Sequence, residues 1–229
     1  MCCWTVQTLC AQVREETVRV VVLGAQTPLG QEVVDDLLFR GHQPTAVLED
    51  APATGSAPQH PVSVAVGDIT DPAWLDSTVA EAGAVIDVLA AARGQAAAGR
   101  ARTATTHLVG AMSAHQVDRY VGFAPQHLYP AAGDTPRFAR VQWAVRRTLH
   151  PAGIAYTQDR FRMITASQLN WTIVRAPTLT AGPARGIRHV HLRQSAGPRA
   201  PVTRIDTARF LAAQVLETSL WWTSPVISN

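Results

Sequence analysis

Apolar residues along this chain recur in alternating short runs and helical spacings. Val18–Leu23 is a β-branched and leucine run broken only by Arg19, the pattern of a strand buried on both faces. Val33, Val34, Leu37 and Leu38 then recur at helical spacing, and Gly41 stands where a helix end takes a left-handed residue. Pro44–Leu48 is a second apolar run, closed by the acids Glu49 and Asp50. The same alternation continues. Val62–Val66 predicts a third strand, Asp71 caps a short helix that opens on Pro72, and Ala84–Leu89 predicts a fourth strand. A long alanine-rich helix is expected from Gln95 to Gln116, with Leu108, Val109 and Met112 inward, and then a fifth strand at Arg119–Phe123.

Beyond that point the pattern loosens. Ala124–Pro136 reads as a loop and Arg137–His150 as an amphipathic helix, with Phe138, Val141, Val145 and Leu149 on one face. Tyr156 opens a short helical segment through Arg160, Met163 and Ile164, and Trp171–Arg175 is a sixth strand ended by Pro177. A strand at Ile187–Leu192 follows, then a helix capped by Asp206 and running to about Glu217. Pro225–Ser228 closes the sheet. Strands alternating with helices define an α/β class, a doubly wound and mostly parallel sheet with a small C-terminal substrate-side extension. Residues 18–229 are expected to form one domain after an extension of 17 residues, with substrate-side segments around 125–165 and 177–203.

The chemistry begins in the turn between the first strand and the first helix. Gly24 and Gly30 bracket it, and a helix that opens there points free N–H groups and its positive dipole end at an anion. Glu49 lies about 20 residues beyond the glycines, where a dinucleotide fold binds ribose hydroxyls. Together these features read as the nucleotide half of a Rossmann fold. The position of the usual middle glycine is Thr27, whose Cβ either blocks backbone approach to a pyrophosphate or whose hydroxyl supplies a phosphate hydrogen bond.

Composition narrows the field. The 229 residues suffice for one α/β domain, 47% are hydrophobic, and no apolar run approaches the ~20 residues of a membrane helix. A formal charge of +3 is too small to argue for nucleic acid. All 20 basic side chains counted as Lys plus Arg are arginines, which excludes Schiff-base lysines, Walker lysines and a Tyr-x-x-x-Lys dyad. Cys2, Cys3 and Cys10 have neither zinc spacing nor the makings of a disulfide framework, and the N-terminus lacks the features of a signal peptide. The expectation is a reduced, cytoplasmic protein with no metal, no membrane or nucleic-acid partner, and a monomeric or homodimeric state.

Six segments in order resemble the atypical short-chain dehydrogenase/reductases, the NmrA-like and biliverdin/flavin-reductase-like branch: VVVLGAQTPLG with the LLFRGH helix end, VGDITDPAWL, AVIDVLAAA, HLVGAMSAHQVDRYVGF, LNWTIVRAPTLTAGP and VTRIDTARFL. The resemblance implies that Gly24, Gln26, Thr27, Pro28, Leu29 and Gly30 wrap the pyrophosphate, and that Asp68 and Ile69 flank the adenine. It places Leu89, Ala90 and Ala91 along the nicotinamide ribose and Phe123, Ala124 and Pro125 near the nicotinamide, with Arg175, Ala176, Pro177 and Thr178 closing over it. The chain departs from the family where NADP-preferring members often carry arginine: Glu49 accepts bonds from a 2′-hydroxyl and repels a 2′-phosphate, so NAD(H) is favoured over NADP(H).

The usual serine pair is Ala124-Pro125, and the missing lysine leaves Tyr156-x-x-x-Arg160 as the nearest acid–base dyad. His127 and Tyr129 offer a second pair just beyond the fifth strand. Trp143, Tyr129, Tyr156 and Phe161 suggest a small aromatic or polyketide-like substrate. Three readings remain open: an NAD(P)-dependent oxidoreductase, a non-redox isomerase, cyclase or dehydratase on the same fold, and a dinucleotide-sensing regulator.

Overall fold

The computed structural model describes residues 17–49, 62–89, 95–126, 148, 151–192 and 200–229. Strand β1 (Arg19–Leu23) leads through helix α1 (Pro28–Phe39) to β2 (Gln43–Leu48), and β3 (Ser63–Val66) follows. Helix α2 (Pro72–Val79), β4 (Ala84–Asp87), α3 (Gln95–Ala114) and β5 (Arg119–Pro125) continue the alternation. Helix α4 (Pro151–Ala166) and β6 (Asn170–Ala176) come next. The chain ends with β7 (Leu179–Thr180), β8 (His189–His191), β9 (Val202–Thr203), α5 (Arg204–Ala213) and β10 (Val226–Ser228).

Eight strands make one sheet in the order β3-β2-β1-β4-β5-β6-β10-β8. Every neighbouring pair is parallel except β10 with β8, which closes the edge antiparallel. The chain builds outward from β1 to β3, returns to the centre at β4, and then builds the other way. That reversal opens a crevice beyond the C-terminal ends of β1 and β4, where such sheets take their ligands.

Both faces are covered, which is why the central strands read as continuous apolar runs. Val20, Val22, Ile86 and Val121 face Leu29, Val33, Leu37 and Leu211, on the side of α1 and α5. Val21, Val85, Tyr120 and Ile173 face Leu75, Val79, Leu108, Met112 and Ile164, on the side of α2, α3 and α4. Leu37, Leu108 and Met112 are fully or almost fully buried, and burial of each such side chain contributes ~1.5–3 kcal/mol. Gly41 holds φ +79° after α1, as its place in the sequence predicts.

Three expected elements are corrected, and one pair of strands is added. The helix expected to open at Tyr156 begins five residues earlier, at Pro151, so Tyr156 lies well inside it. The cap of α5 is Thr203, whose hydroxyl accepts from the Asp206 N–H, and the helix ends at Ala213 rather than near Glu217. The expected strand over Ile187–Leu192 narrows to three residues. β7 and β9 form a separate two-stranded parallel sheet that residue patterning does not announce, because each strand is two residues long. The amphipathic helix expected at Arg137–His150 lies, apart from Thr148, outside the described residues.

Candidate dinucleotide site

The turn after β1 is built by three residues acting in different ways. Gly24 has φ +81°, and a Cβ there would meet Leu89 N and Val88 C at 3.0 Å, so glycine is needed for both conformation and space. A Cβ on Gly30 would meet Gly24 O at 2.3 Å and Ala25 Cα at 2.7 Å, both backbone atoms that cannot step aside. Thr27 is the N-cap of α1. Its hydroxyl donates to Gly24 O (2.8 Å) and accepts from Gly30 N–H (3.0 Å), and its own N–H bonds Gly24 O (2.9 Å).

The hydroxyl proton of Thr27 is therefore engaged by the turn itself, and the side chain shapes the loop from within. Pro28 follows at the first helical position, where its missing N–H costs nothing. The N–H of Leu29 has no acceptor among the described residues, which leaves the helix with a free donor at its positive end. Gln26 lies exposed on the same turn. A tight glycine-flanked turn with free N–H at a helix start fits a dinucleotide pyrophosphate; Gly24, Gln26, Thr27, Pro28, Leu29 and Gly30 are the residues that would hold it.

Glu49 is exposed at the C-terminal end of β2, the register that the ribose of an adenosine half requires. At the end of β3, Asp68 accepts from Thr70 N–H (2.8 Å), the Thr70 hydroxyl (2.7 Å) and Arg100 (3.0 Å). The Thr70 bonds, its backbone N–H first, hold the Asp68 carboxyl below its ordinary range, with Arg100 adding to the effect. Ile69 is buried in the α2–α3 core, and the indole of Trp74 lies where a Cβ on Gly67 would stand.

At the ends of β4 and β5 the structure brings together three residues far apart in sequence. Asp87 is 1% exposed and Arg160 6% exposed, with Arg160 Nε 3.4 Å from Asp87 Oδ2. The Tyr120 hydroxyl donates to Asp87 Oδ2 at 2.8 Å and accepts from Arg160 Nε at 3.1 Å. Asp87 Oδ1 accepts from Leu89 N–H at 3.0 Å, and Arg160 Nη2 donates to Phe123 O at 3.1 Å. Burial pushes the Tyr120 hydroxyl well above its ordinary pKa, Arg160 opposing and Asp87 reinforcing the rise. Sequence reasoning singled out neither Asp87 nor Tyr120. One local signal exists: Gly122, whose Cβ would meet Arg160 Nη2 and the Tyr120 ring, each at 2.9 Å.

Tyr156 and Arg160 lie one turn apart on α4, the geometry a dyad needs. The Tyr156 side chain is 1% exposed, packs with Ala98 and Ala152, and its hydroxyl has no hydrogen-bond partner among the described residues. Burial raises its pKa; Arg160 opposes that rise, and Asp87 adds to it. Phe123 and Ala124 are buried in β5 and Pro125 is half-buried at its end. Arg175, buried in β6, donates through Nε to Ser224 O at 3.1 Å and so ties β6 to the approach of β10. Pro177 is half-buried and Thr178 exposed beyond it. Ala90, Ala91, His127 and Tyr129 lie outside the described residues.

A doubly wound sheet with a glycine turn at its central crevice and an acid after β2 defines a dinucleotide-binding Rossmann domain. Residues 24–218 match the NAD(P)H-binding family, and the chain belongs to it. Among solved structures it is similar to a short-chain dehydrogenase/reductase from Veillonella parvula in complex with NADP, at 18% identity and TM-score 0.73, covering 93% of this chain and 94% of that one. It is also similar to the anaerobillin reductase ChuY from Escherichia coli O157:H7, at 17% identity and TM-score 0.70, with 92% and 96% covered. A Rossmann-fold NAD(P)-binding family protein from Shigella flexneri aligns at 15% identity and TM-score 0.68, over 93% and 94%. The resemblance to short-chain dehydrogenase/reductases read from the sequence is borne out at the level of fold and NAD(P) binding. No described helix is long and apolar enough to cross a membrane.

Proposed function

We propose that this chain is an NAD(P)-dependent oxidoreductase of the atypical short-chain type, acting in the cytoplasm as a monomer or homodimer on a small aromatic or polyketide-like molecule. The observation that carries the reading is the glycine turn, in which Gly24 and Gly30 tolerate no Cβ and α1 presents a free N–H. When bound, the nicotinamide cofactor supplies or accepts hydride. The chain's own residues hold the pyrophosphate at Gly24–Gly30, select the ribose at Glu49 and exclude water at the ends of β4 and β5.

Proton transfer falls to His127 or Tyr129, which follow the exit of β5, rather than to Tyr156, whose sealed hydroxyl and raised pKa disfavour acid work at neutral pH. The non-redox reading draws its support from the same sealed tyrosine and from Ala124 and Pro125, which bring no hydroxyl to the reacting edge. Titration of the purified chain with NADH and NADPH, followed by nicotinamide fluorescence, tests the binding, with saturable binding of NADH expected. Turnover of aromatic carbonyl substrates with NADH consumption tests the redox step, and His127→Ala, Tyr129→Phe and Tyr156→Phe together assign the proton donor. Binding without consumption of NADH by any carbonyl substrate favours the non-redox reading, and no binding at all rejects both.

A further inference from the structure

We propose that Arg160 is a positioning residue for the nicotinamide half of the site, setting the spacing of the β4 and β5 exits through Asp87, Tyr120 and the Phe123 carbonyl. This rests on the dinucleotide reading above and deepens it. The adenosine half of a dinucleotide belongs to the β1–β3 side, where the glycine turn and Glu49 lie, so the other half falls on the ends of β4, β5 and β6. Arg160 reaches those ends from α4 and touches two of them at once. Its Nη2 donates to Phe123 O (3.1 Å) and lies 3.5 Å from Asp87 O, while its Nε meets Tyr120 Oη (3.1 Å).

The connection then runs on to the turn. Asp87 Oδ1 holds the Leu89 N–H at 3.0 Å, and Leu89 N stands 3.0 Å from the place of a Cβ on Gly24. The backbone that lines one side of the crevice is thus fixed by a buried charge on a different element. Arginine suits the task because its planar fork satisfies a carboxylate, a phenol oxygen and a carbonyl in different directions; an ammonium is a single point of charge. Gly122 completes the arrangement by leaving room for the guanidinium beside the Tyr120 ring.

The test compares two probes, ADP and NADH, on the full chain. ADP reports the adenosine and pyrophosphate contacts, and NADH adds the nicotinamide half. In Arg160→Met the Kd for NADH is expected to rise tenfold or more, while that for ADP stays within about twofold of wild type. Tyr120→Phe removes only the hydroxyl that joins Arg160 to Asp87 and keeps the ring, so it is the variant of choice if Arg160→Met does not fold. It is expected to show the same selective loss, at least threefold for NADH. Arg160→Lys keeps the charge and loses the fork, and partial recovery is expected. Circular dichroism and thermal unfolding confirm that each variant compared is folded. A purely structural role predicts lowered melting temperatures with NADH and ADP affinities unchanged or falling together in the folded variants, and that result overturns the inference. Wild-type protein that binds neither probe overturns the dinucleotide reading itself, whereas wild-type binding without the split removes Arg160 alone.

Discussion

At Thr27 the chain resolves a conflict between two demands. A dinucleotide turn asks for a small residue there, and a helix beginning at Pro28 asks for a capping side chain. Threonine serves the second, since its hydroxyl lies between Gly24 O and Gly30 N–H. Thr27→Ala is expected to cost about 1 kcal/mol of stability, the usual worth of an N-cap, with Thr27→Gly costing only a few tenths. Urea unfolding measures both, and equal stability of wild type and the alanine variant rejects the cap. Gly30→Ala is expected to do worse. Its Cβ has no room between Gly24 O and Ala25 Cα, and overpacking of this kind costs roughly 1–3 kcal/mol. NADH binding should be lost with it, because the turn must open to admit the methyl. These residues are legible in the sequence because the turn is local: seven consecutive positions carry their own constraints. The Asp87–Tyr120–Arg160 cluster is not, since its members are 33 and 40 residues apart and each passes singly for an ordinary strand or helix residue.

Among the elements, α5 shows how a cap can also tether a chain end. Thr203 Oγ1 accepts from Asp206 N–H and donates to Asp206 Oδ2, while the Thr203 N–H donates to Asn229 Oδ1. The Asp206 carboxylate accepts from Arg185 N–H (2.9 Å), Gly186 N–H (3.0 Å) and Asn229 Nδ2 (3.0 Å), joining α5 to the 181–188 segment and the last residue. Burial alone would raise the pKa of Asp206, but these bonds outweigh it and hold the group below its ordinary value. A depressed folded-state pKa adds stability that is fully present above the unfolded-state value and is lost as pH falls through the folded one. Asp206→Asn should therefore lower stability at pH 7 by roughly 1.5–3 kcal/mol, the range for hydrogen bonds to a charged group. The gap to wild type should close as pH drops below about 4, where the unfolded-state carboxyl takes its proton. Denaturant unfolding of both proteins across that range measures it, and a gap constant with pH would mean the charge is immaterial. Periodicity in the sequence reveals α5 but assigns its cap to Asp206, three residues late, because serine, threonine and aspartate all serve as caps. Only the geometry tells which one stands before the first turn.

The strand order gives the whole molecule its polarity. Because β1 to β6 run parallel, their C-terminal ends share one edge of the sheet, and because the chain reverses between β1 and β4 the two halves of a dinucleotide would fall to different strands. The alternating pattern makes this doubly wound architecture legible. The antiparallel closure by β8 and the β7–β9 pair are not, since strands of two or three residues carry too little periodicity to register. The same global order agrees with the role that spacing along the chain suggests for Glu49: it follows β2, next to β1, on the adenosine side of the switch point. Its carboxylate is exposed there, free to accept from a ribose 2′-hydroxyl and to repel a 2′-phosphate. NADH is therefore expected to bind more tightly than NADPH. Glu49→Arg should narrow or reverse that preference, with the change appearing in the Kd ratio and not in ADP affinity. The charge lies at the surface, so raising the salt concentration should shrink the discrimination in both proteins. Equal wild-type affinities for NADH and NADPH at low salt would remove Glu49 from the site, and would pass the choice of cofactor to residues beyond the end of β2.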